Sequence, residues 1–187
     1  MSRLPPLPDG RLISRFLERR DEGAFDVLYD RHTPRVYGLA LRLAGGHEAD
    51  ARDLVQETWV RAVRGLDRFR GEARLSSWLC AICTNVWRET LRRGRREVEL
   101  ELAPEPVAPG SRIGVIPPHD PIDVQRALDA LPPGYRAVVV LYGIYGFSHA
   151  EVAEMLGISE GTSKSQLFRG RRALLRALDD ERRDDER

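Results

Sequence analysis

The spacing of apolar residues predicts two amphipathic helices between residues 50 and 96. Apolar side chains recur there every three or four positions, which places them on one face of a helix. The stripe of the first helix consists of Ala51, Leu54, Val55, Ala62 and Val63, with Thr58 and Trp59 filling its middle. The stripe of the second consists of Trp78, Leu79, Ile82, Val86 and Leu91. We expect these two stripes to pack against each other.

Similar spacing extends the helical prediction toward the N-terminus. Residues 11–20 and 24–44 each carry an apolar side, with Pro34 expected to kink or restart the second helix. Together with the pair above, these segments predict an all-helical first domain over residues 11–96. The proline-rich residues 1–10 are expected to be disordered.

Over residues 97–121 the apolar residues recur at neither helical nor strand spacing. Glutamates occupy the first half of this segment and prolines recur through the second. Such a composition predicts an extended linker. A passive tether is its ordinary explanation.

A second small helical domain is predicted over residues 122–178. Ser148 and Glu151 have the spacing of a capping box, Gly157 suits a tight turn, and Ser159 is expected to cap a final basic helix. This order is typical of a helix-turn-helix. The fold class is therefore all-α, with two small helical domains joined by an extended linker.

The tail of the chain, residues 179–187, consists entirely of charged side chains of both signs. No apolar position recurs in it to hold a helix against a core. We expect this tail to fray.

An acidic stripe runs along the polar side of the first amphipathic helix. Asp50, Asp53 and Glu57 fall at i, i+3 and i+7, and Gln56 sits beside them. A solvated face is the ordinary explanation for such a stripe. Here a basic, aromatic-containing segment follows it, so the chain has an acidic face suited to a protein and a basic face suited to nucleic acid.

The basic face begins in the break between the two helices. Gly71 is free to take a turn conformation, and Ser76 or Ser77 is expected to cap the second helix. Arginines beside aromatic and amide side chains suit phosphates and unstacked bases. The candidate residues are Phe69, Arg70, Gly71, Glu72, Arg74, Ser76, Asn85, Arg88, Arg92, Arg93, Arg95 and Arg96.

The final helix of the second domain carries polar residues suited to duplex DNA. Thr162, Ser163, Lys164 and Gln166 are expected to reach base edges or phosphates, with Ser159 at the helix start. Arg169, Arg171 and Arg172 are better placed for the DNA backbone. A solvated helix face is the alternative explanation.

Two cysteines, Cys80 and Cys83, lie one helical turn apart. Core packing is the interpretation we favour, with a redox pair or a metal site as alternatives. The four scattered histidines offer no matching pair of zinc ligands. No nucleophile with a base, phosphate loop or paired-carboxylate site is evident, so the sequence does not predict an enzyme.

Composition narrows the cellular setting. The formal net charge is only +1, which hides the local asymmetry described above. No apolar run reaches membrane-spanning length, and the N-terminal residues do not have the pattern of a signal peptide. We therefore expect a cytoplasmic protein without membrane insertion.

Two motifs resemble those of a known protein family, and they occur along the chain in the same order as in that family. The pattern D-x-x-Q-E-x-W, the F-R-G loop and S-W-L-x-x-I-x-x-N resemble region 2 of bacterial extracytoplasmic-function (ECF) sigma factors. The stretch GTSKSQLFRGR resembles the recognition helix of sigma region 4. It departs from the common family pattern at Ser163, where valine is usual, and at Gln166, where arginine is usual.

The resemblance implies a promoter-specificity subunit without a cofactor. Asp50, Asp53, Gln56 and Glu57 would dock on core RNA polymerase, and the loop with Asn85 and the arginines after it would hold a flipped base and backbone of the −10 element. Region 4 would read the −35 element, and the linker would run through the polymerase's RNA-exit region. An anti-sigma factor is an expected further partner.

Two other functional classes remain open at this point. A stand-alone helix-turn-helix regulator would explain residues 148–172 but not the acidic helix or the F-R-G loop. A thiol-based redox switch would use Cys80 and Cys83.

Overall fold

The computed structural model describes residues 7–94 and 121–185, and every regular element in these two ranges is a helix. The helices are α1 (Asp9–Arg19), α2 (Glu22–Leu43), α3 (Glu48–Gly65), α4 (Leu75–Gly94), α5 (Pro121–Asp129), α6 (Pro133–Val138), α7 (His149–Leu156) and α8 (Glu160–Asp185). Arg95, Arg96, the linker up to residue 120 and the first six residues of the N-terminal segment lie outside the described residues. The predictions for them therefore stay untested.

The first domain is built around α2. Its N-terminus is capped by Asp21, whose carboxylate accepts a hydrogen bond from the Ala24 backbone N–H at 3.1 Å. The helix runs through Pro34 without a break, so of the two predicted alternatives the restart was wrong, and a kink stays a prediction. Leu28, Leu39 and Leu43 are buried against α1, α3 and α4, which surround α2. The predicted helical core of this domain is present.

Two local details of α3 and α4 differ from expectation. Val63 was predicted to be buried but is 38% exposed, because it lies at the edge of the stripe that faces α2 and α4. α4 begins at Leu75, so Ser76 and Ser77 lie in its first turn and neither caps it. Leu75, the first residue of the helix, is itself buried.

Local signals place the helix ends of the second domain. Ser148 and Glu151 form the complete capping box at the start of α7, and Gly157 ends that helix with φ +66°. The Ser159 hydroxyl accepts a hydrogen bond from the Thr162 backbone N–H at 3.0 Å. These three predictions are confirmed.

The ends of α6 and α8 follow different rules. A π-helical turn over Val139–Ile144 continues α6. α8 continues to Asp185, so the prediction that the chain frays after Leu178 was wrong for residues 179–185. Leu174 and Leu178 are both buried, and they anchor the helix next to this charged end.

Gly170 of α8 offers a test of packing against helix propensity. Alanine at a helical position is worth about 1 kcal/mol more than glycine. A Cβ at Gly170, however, would lie 2.7 Å from Val139 Cγ2 and 3.2 Å from the Tyr135 carbonyl oxygen. We predict that Gly170→Ala lowers the free energy of unfolding by about 1–3 kcal/mol in urea denaturation, because overpacking outweighs propensity.

Gly161 on the same helix is the matched control. A Cβ there would meet only Ser159 Oγ, at 3.7 Å, so Gly161→Ala should cause no loss of stability. A Gly170→Ala protein as stable as the unmutated protein would contradict this account of the α6–α8 contact.

Candidate protein-docking and nucleic-acid surfaces

The acidic stripe of α3 lines one wall of a cleft between the two domains. Asp50, Asp53 and Glu57 face Glu89 of α4 and Asp129 of α5 across a volume of about 630 Å³. We call this space the acidic cleft. The prediction that three carboxylates of α3 share one face is therefore confirmed.

Arg61 fixes the chemistry of this cleft. Its Nε donates to Glu57 at 2.7 Å, and its two terminal nitrogens each donate to Glu89, both at 2.8 Å. The hydrogen bonds from Arg61 lower the pKa of Glu89, and Glu89 in turn raises that of Arg61. Asp50 and Asp53 have no ion-pair partner among the described residues. They are the carboxylates that remain available to an incoming cation.

Gln56 does not line the acidic cleft. It lies in an apolar groove of about 740 Å³ on another side of α3, lined with Tyr29, Trp59, Val60 and Val63. Tyr29, Val60 and Val63 are each more than a third exposed. Tyr29, Val60 and Val63 were not predicted as docking residues, although the position of Val60 off the buried stripe was a visible signal. The structure divides the predicted docking residues between two neighbouring surfaces.

The F-R-G loop lies between α3 and α4 and is open to solvent. Arg70, Glu72 and Arg74 are exposed, and Gly71 has the turn conformation predicted for it, with φ +73°. Phe69 packs against Trp78 with ring centroids 5.1 Å apart. This tilted contact between the two rings anchors the start of the loop, while the polar tip of the loop stays exposed to solvent.

The basic side of α4 is only partly available. Asn85, Arg92 and Arg93 are exposed, and Ser76 is half-buried. Arg88 was expected to be exposed as well, but it is half-buried because α7 covers it. Its Nη1 donates to the Met155 carbonyl at 2.9 Å, and burial lowers its pKa. Of the predicted nucleic-acid residues on α4, Asn85, Arg92 and Arg93 are thus open to solvent, whereas Arg88 is bonded to the second domain.

Two of the predicted base-contacting residues of α8 face inward. Ser163 is 0% exposed and Gln166 is 3% exposed, so the expectation that they reach DNA was wrong. They belong to a buried stripe with Leu167, Gly170 and Leu174. Ser163 Oγ lies 2.9 Å from His149 Nδ1 of α7. Two positions of this stripe are polar, so the spacing of apolar residues alone did not identify it as a buried face.

The opposite side of α8 presents a different set of residues. Lys164 and Arg172 are exposed, and Ser165, Phe168 and Arg169 are half-exposed. Phe168 lies outside the core cluster. Ser165 and Phe168 were not among the predicted DNA-contacting residues, although both fall opposite the buried stripe at helical spacing.

The remaining predicted residues of α8 are partly engaged within the domain. The hydroxyls of Ser159 and Thr162 lie 2.8 Å apart in the cap of α8. Arg171 leans over the Tyr142 ring, 5.8 Å from its centroid. The outward face is therefore centred on Ser165, Phe168 and Arg172.

Cys80 and Cys83 lie in the core of the first domain. Both are free thiols with no exposed surface. Burial raises the pKa of Cys80 to about 11 and that of Cys83 to about 12. A thiolate is therefore strongly disfavoured at neutral pH, and this environment favours the packing interpretation.

Two further searches of the described residues gave negative results. They contain no group of three or more His, Cys, Asp or Glu residues placed to hold a metal ion. None of their helices is both long and apolar enough to cross a membrane.

His149 makes the stability of the second domain dependent on pH. Burial, together with Lys164 and Arg171, lowers the pKa of His149 below its usual 6.5. The unfolded chain therefore binds this proton more readily than the folded domain does. The contribution to stability is fully present above pH 6.5 and is lost as the pH falls toward the folded pKa.

We predict that His149→Asn reduces the loss of stability between pH 7.5 and 5.5, as measured by urea unfolding at each pH. Asparagine preserves a hydrogen-bonding atom near Ser163 but does not titrate. His47→Asn, at an exposed histidine before α3, is the matched control and should keep the dependence of the unmutated protein. Equal pH dependence in both variants would contradict the role of His149.

Comparisons with known proteins match both domains to one family. The sigma-70 region 2 family model matches residues 28–97, and the sigma-70 region 4 model matches residues 122–174. The chain is 40% identical over 159 residues to ECF RNA polymerase sigma factor SigM of Mycobacterium tuberculosis, covering 84% of this chain and 79% of that protein. It is 37% identical over 163 residues to ECF sigma factor SigE of Mycolicibacterium smegmatis, covering 81% of this chain but only 60% of that protein.

Solved structures agree with this assignment. The sigma factor RpoE in complex with the anti-sigma factor NepR from Bartonella quintana has a TM-score of 0.62 and 28% identity, covering 83% of this chain and 96% of that one. CnrH in complex with the cytosolic domain of CnrY has a TM-score of 0.59 and 31% identity, covering 92% and 99%. The chain belongs to the sigma-70 family of RNA polymerase sigma factors, in its ECF group.

Proposed function

We propose that this chain docks on core RNA polymerase in the cytoplasm and directs it to promoters through separate −10 and −35 contacts. The main support is that the first domain matches sigma-70 region 2 and the second matches sigma-70 region 4, in that order along the chain. The outward surfaces of the two domains also differ in chemistry. An acidic cleft, an arginine-bearing loop and a basic recognition helix give one surface for each of these partners.

The docking proposal rests on α3. Asp50 and Asp53 are carboxylates without an ion-pair partner in the described part of the chain, and Gln56 lies beside exposed Val60 and Val63. A helical partner with basic and apolar residues on one side satisfies both surfaces at once. The coiled coil of the largest polymerase subunit is the partner that the family resemblance implies. Glu57 acts through Arg61, because it is already paired.

The −10 proposal rests on the loop before α4 and on the exposed end of that helix. Arg70 and Arg74 are free to contact phosphates, and Asn85 offers an amide for the edge of an unstacked base. Flipping a base out of the stack costs a few kcal/mol of free energy. Stacking and hydrogen bonds formed with the base in this region must offset that cost. Strand opening then draws its free energy from binding, so we propose no catalytic step.

The −35 proposal rests on the outward face of α8. Lys164 and Arg172 suit phosphates, and Ser165 suits a base edge. Phe168 is half-exposed and lies outside the core, so its ring is available for the methyl group of a thymine. Ser163 and Gln166 act indirectly, because they set how α8 packs on the rest of the domain.

An anti-sigma factor is a further proposed partner. The two similar structures reported above are both sigma factors bound to such inhibitors. An inhibitor that enters the acidic cleft would compete directly with the polymerase for Asp50 and Asp53.

Run-off transcription with core polymerase tests the proposal. The unmutated chain should yield a specific transcript from the promoter of its own gene, and Asp53→Arg should abolish it. Reversing this charge should weaken binding to core polymerase by roughly tenfold or more, about 1.4 kcal/mol, as measured by fluorescence anisotropy. Asp26→Arg, an exposed acidic position on α2, is the matched control and should retain activity.

Failure of the unmutated chain to support transcription, combined with tight binding to duplex DNA, would favour the stand-alone helix-turn-helix regulator. Equal activity of Asp53→Arg and Asp26→Arg would remove α3 from the docking surface.

Phe168 gives a separate prediction about sequence reading. Replacing each thymine of the −35 element in turn by deoxyuridine removes one methyl group without changing hydrogen bonding. We expect the unmutated protein to lose roughly 1 kcal/mol of binding at one such position and Phe168→Ala to show no such sensitivity. Arg172→Ala is the control, since it should weaken all duplexes alike. A protein indifferent to every methyl group would refute this role.

A further inference from the structure

The ring of His149, the first residue of α7, is held in a fixed orientation beside α8. It stacks on the Tyr142 ring, with centroids 4.3 Å apart and an angle of 23° between the planes. Its Nδ1 lies 2.9 Å from the hydroxyl of the fully buried Ser163. No described residue hydrogen-bonds to the other ring nitrogen, Nε2. His149 is half-buried, so this nitrogen remains available to a ligand that approaches the start of α7.

Cationic side chains of α8 act on this ring. Burial is the largest cause of the lowered pKa of His149, and the charge of Lys164 adds to it, as does that of Arg171. The Arg171 guanidinium also lies over the Tyr142 ring. Glu160 acts in the opposite direction, but it lies 3.8 Å from Lys164 and both side chains are more than half exposed, so this ion pair is weak. We call His149, Lys164 and Arg171 the His149 cluster.

The other charged groups around α7 do not neutralise the His149 cluster. Glu151 is engaged in the capping box, where its carboxylate accepts hydrogen bonds from the backbone N–H and the hydroxyl of Ser148, both at 2.8 Å. Arg88 of α4 meets the far end of α7, at the Met155 carbonyl. The cluster therefore keeps a positive potential that an anion can satisfy.

The His149 cluster borders the surface of α8 that we assign to the −35 duplex. Lys164 belongs to both, and α7 is the helix that precedes α8 in the helix-turn-helix. In this motif the second helix enters the major groove while the first crosses the DNA backbone. A side chain at the start of α7 is thereby directed toward a phosphate. Phosphate oxygens accept charge-assisted hydrogen bonds from several donors at once.

We propose that the His149 cluster binds one backbone phosphate of the −35 duplex, and that His149 takes up a proton from solvent when this phosphate binds. The inference rests on the proposed function for the identity of the ligand. In the free chain, burial and two neighbouring cations disfavour the imidazolium. A phosphate beside Nε2 favours it, because opposite charges stabilise the ionised form.

These opposing effects give the pH dependence of binding its direction. The pKa of His149 lies below 6.5 in the free chain, and the bound phosphate raises it. Between these two values, the complex holds more protons than the separate chain and duplex. Affinity for the duplex therefore increases as the pH falls through this range, and the contribution of the proton is lost above it.

Fluorescence anisotropy of the holoenzyme tests this site. The labelled duplex carries the −35 region of the promoter of the chain's own gene and ends before the −10 element. We expect affinity to increase roughly threefold to tenfold from pH 7.5 to pH 6.0. His149→Asn should lose this increase. His47→Asn, at an exposed histidine of the first domain, is the matched control and should keep the same ratio of affinities.

His149→Arg separates charge from a merely structural role. Arginine keeps a permanent cation that can stack on Tyr142. We therefore expect His149→Arg to bind at pH 7.5 more tightly than His149→Asn does, with no increase at pH 6.0. If the two variants bind equally weakly, charge at this position is not what the duplex recognises, and the phosphate site is overturned.

Nuclear magnetic resonance measures the proton uptake directly. The ring signal of His149 in the full-length chain is assigned by its absence from His149→Asn and titrated with and without the duplex. The pKa of His149 should be higher with the duplex present. An unchanged pKa would overturn the proton uptake. An equal rise with inorganic phosphate, at matched ionic strength, would make the cluster a general anion site and overturn its assignment to DNA.

The binding outcomes separate this site from the proposed function. If the unmutated holoenzyme binds the duplex but shows the same pH dependence as His149→Asn, the phosphate site is overturned and the −35 role stands. If no form of the holoenzyme binds the duplex at either pH, the −35 role fails and the phosphate site fails with it.

Discussion

Helix α4 is buried along one side for most of its length, and this packing decides what its other sides present. Leu79, Cys80, Cys83 and Val86 face α2 and α3, with Trp87 almost fully buried at 3% exposure. When one stripe of a helix is buried, only the remaining sides of that helix can contact partners. On α4 that remainder is divided between Glu89 toward the acidic cleft and Asn85, Arg88 and Arg92 toward the basic surface. The acidic cleft and the basic surface both border this helix, whereas the apolar groove beside Gln56 is lined by residues of α2 and α3.

Arg61 shows how the acidic and basic surfaces stay separate although they share α4. Its guanidinium bridges Glu57 of α3 and Glu89 of α4, which joins the two helices and removes two carboxylates from competition. Among the described residues, Asp50 and Asp53 on the same wall of the cleft have no ion-pair partner. Because the pair is partly exposed, its contribution to stability is modest, and its main effect is to orient the cleft wall.

The contact between the domains gives the chain two uses for one residue. Arg88 faces a backbone carbonyl of the second domain in the state described here, and it lies on the helix that we assign to DNA. A guanidinium bonds less strongly to a neutral carbonyl oxygen than to a carboxylate or a phosphate.

The sequence by itself determined the all-helical fold, the caps of α7 and α8, and the family. Three features were predicted correctly from residues at most seven positions apart: the capping box at Ser148, the turn at Gly157 and the acidic stripe of α3. Such features depend on local backbone geometry and therefore follow from the sequence. Tertiary structure alone decided that Ser163 and Gln166 face inward, that Gln56 borders a separate groove and that α7 holds Arg88. Those outcomes depend on residues far apart in the chain, such as Arg88 and Met155, whose proximity no local period encodes.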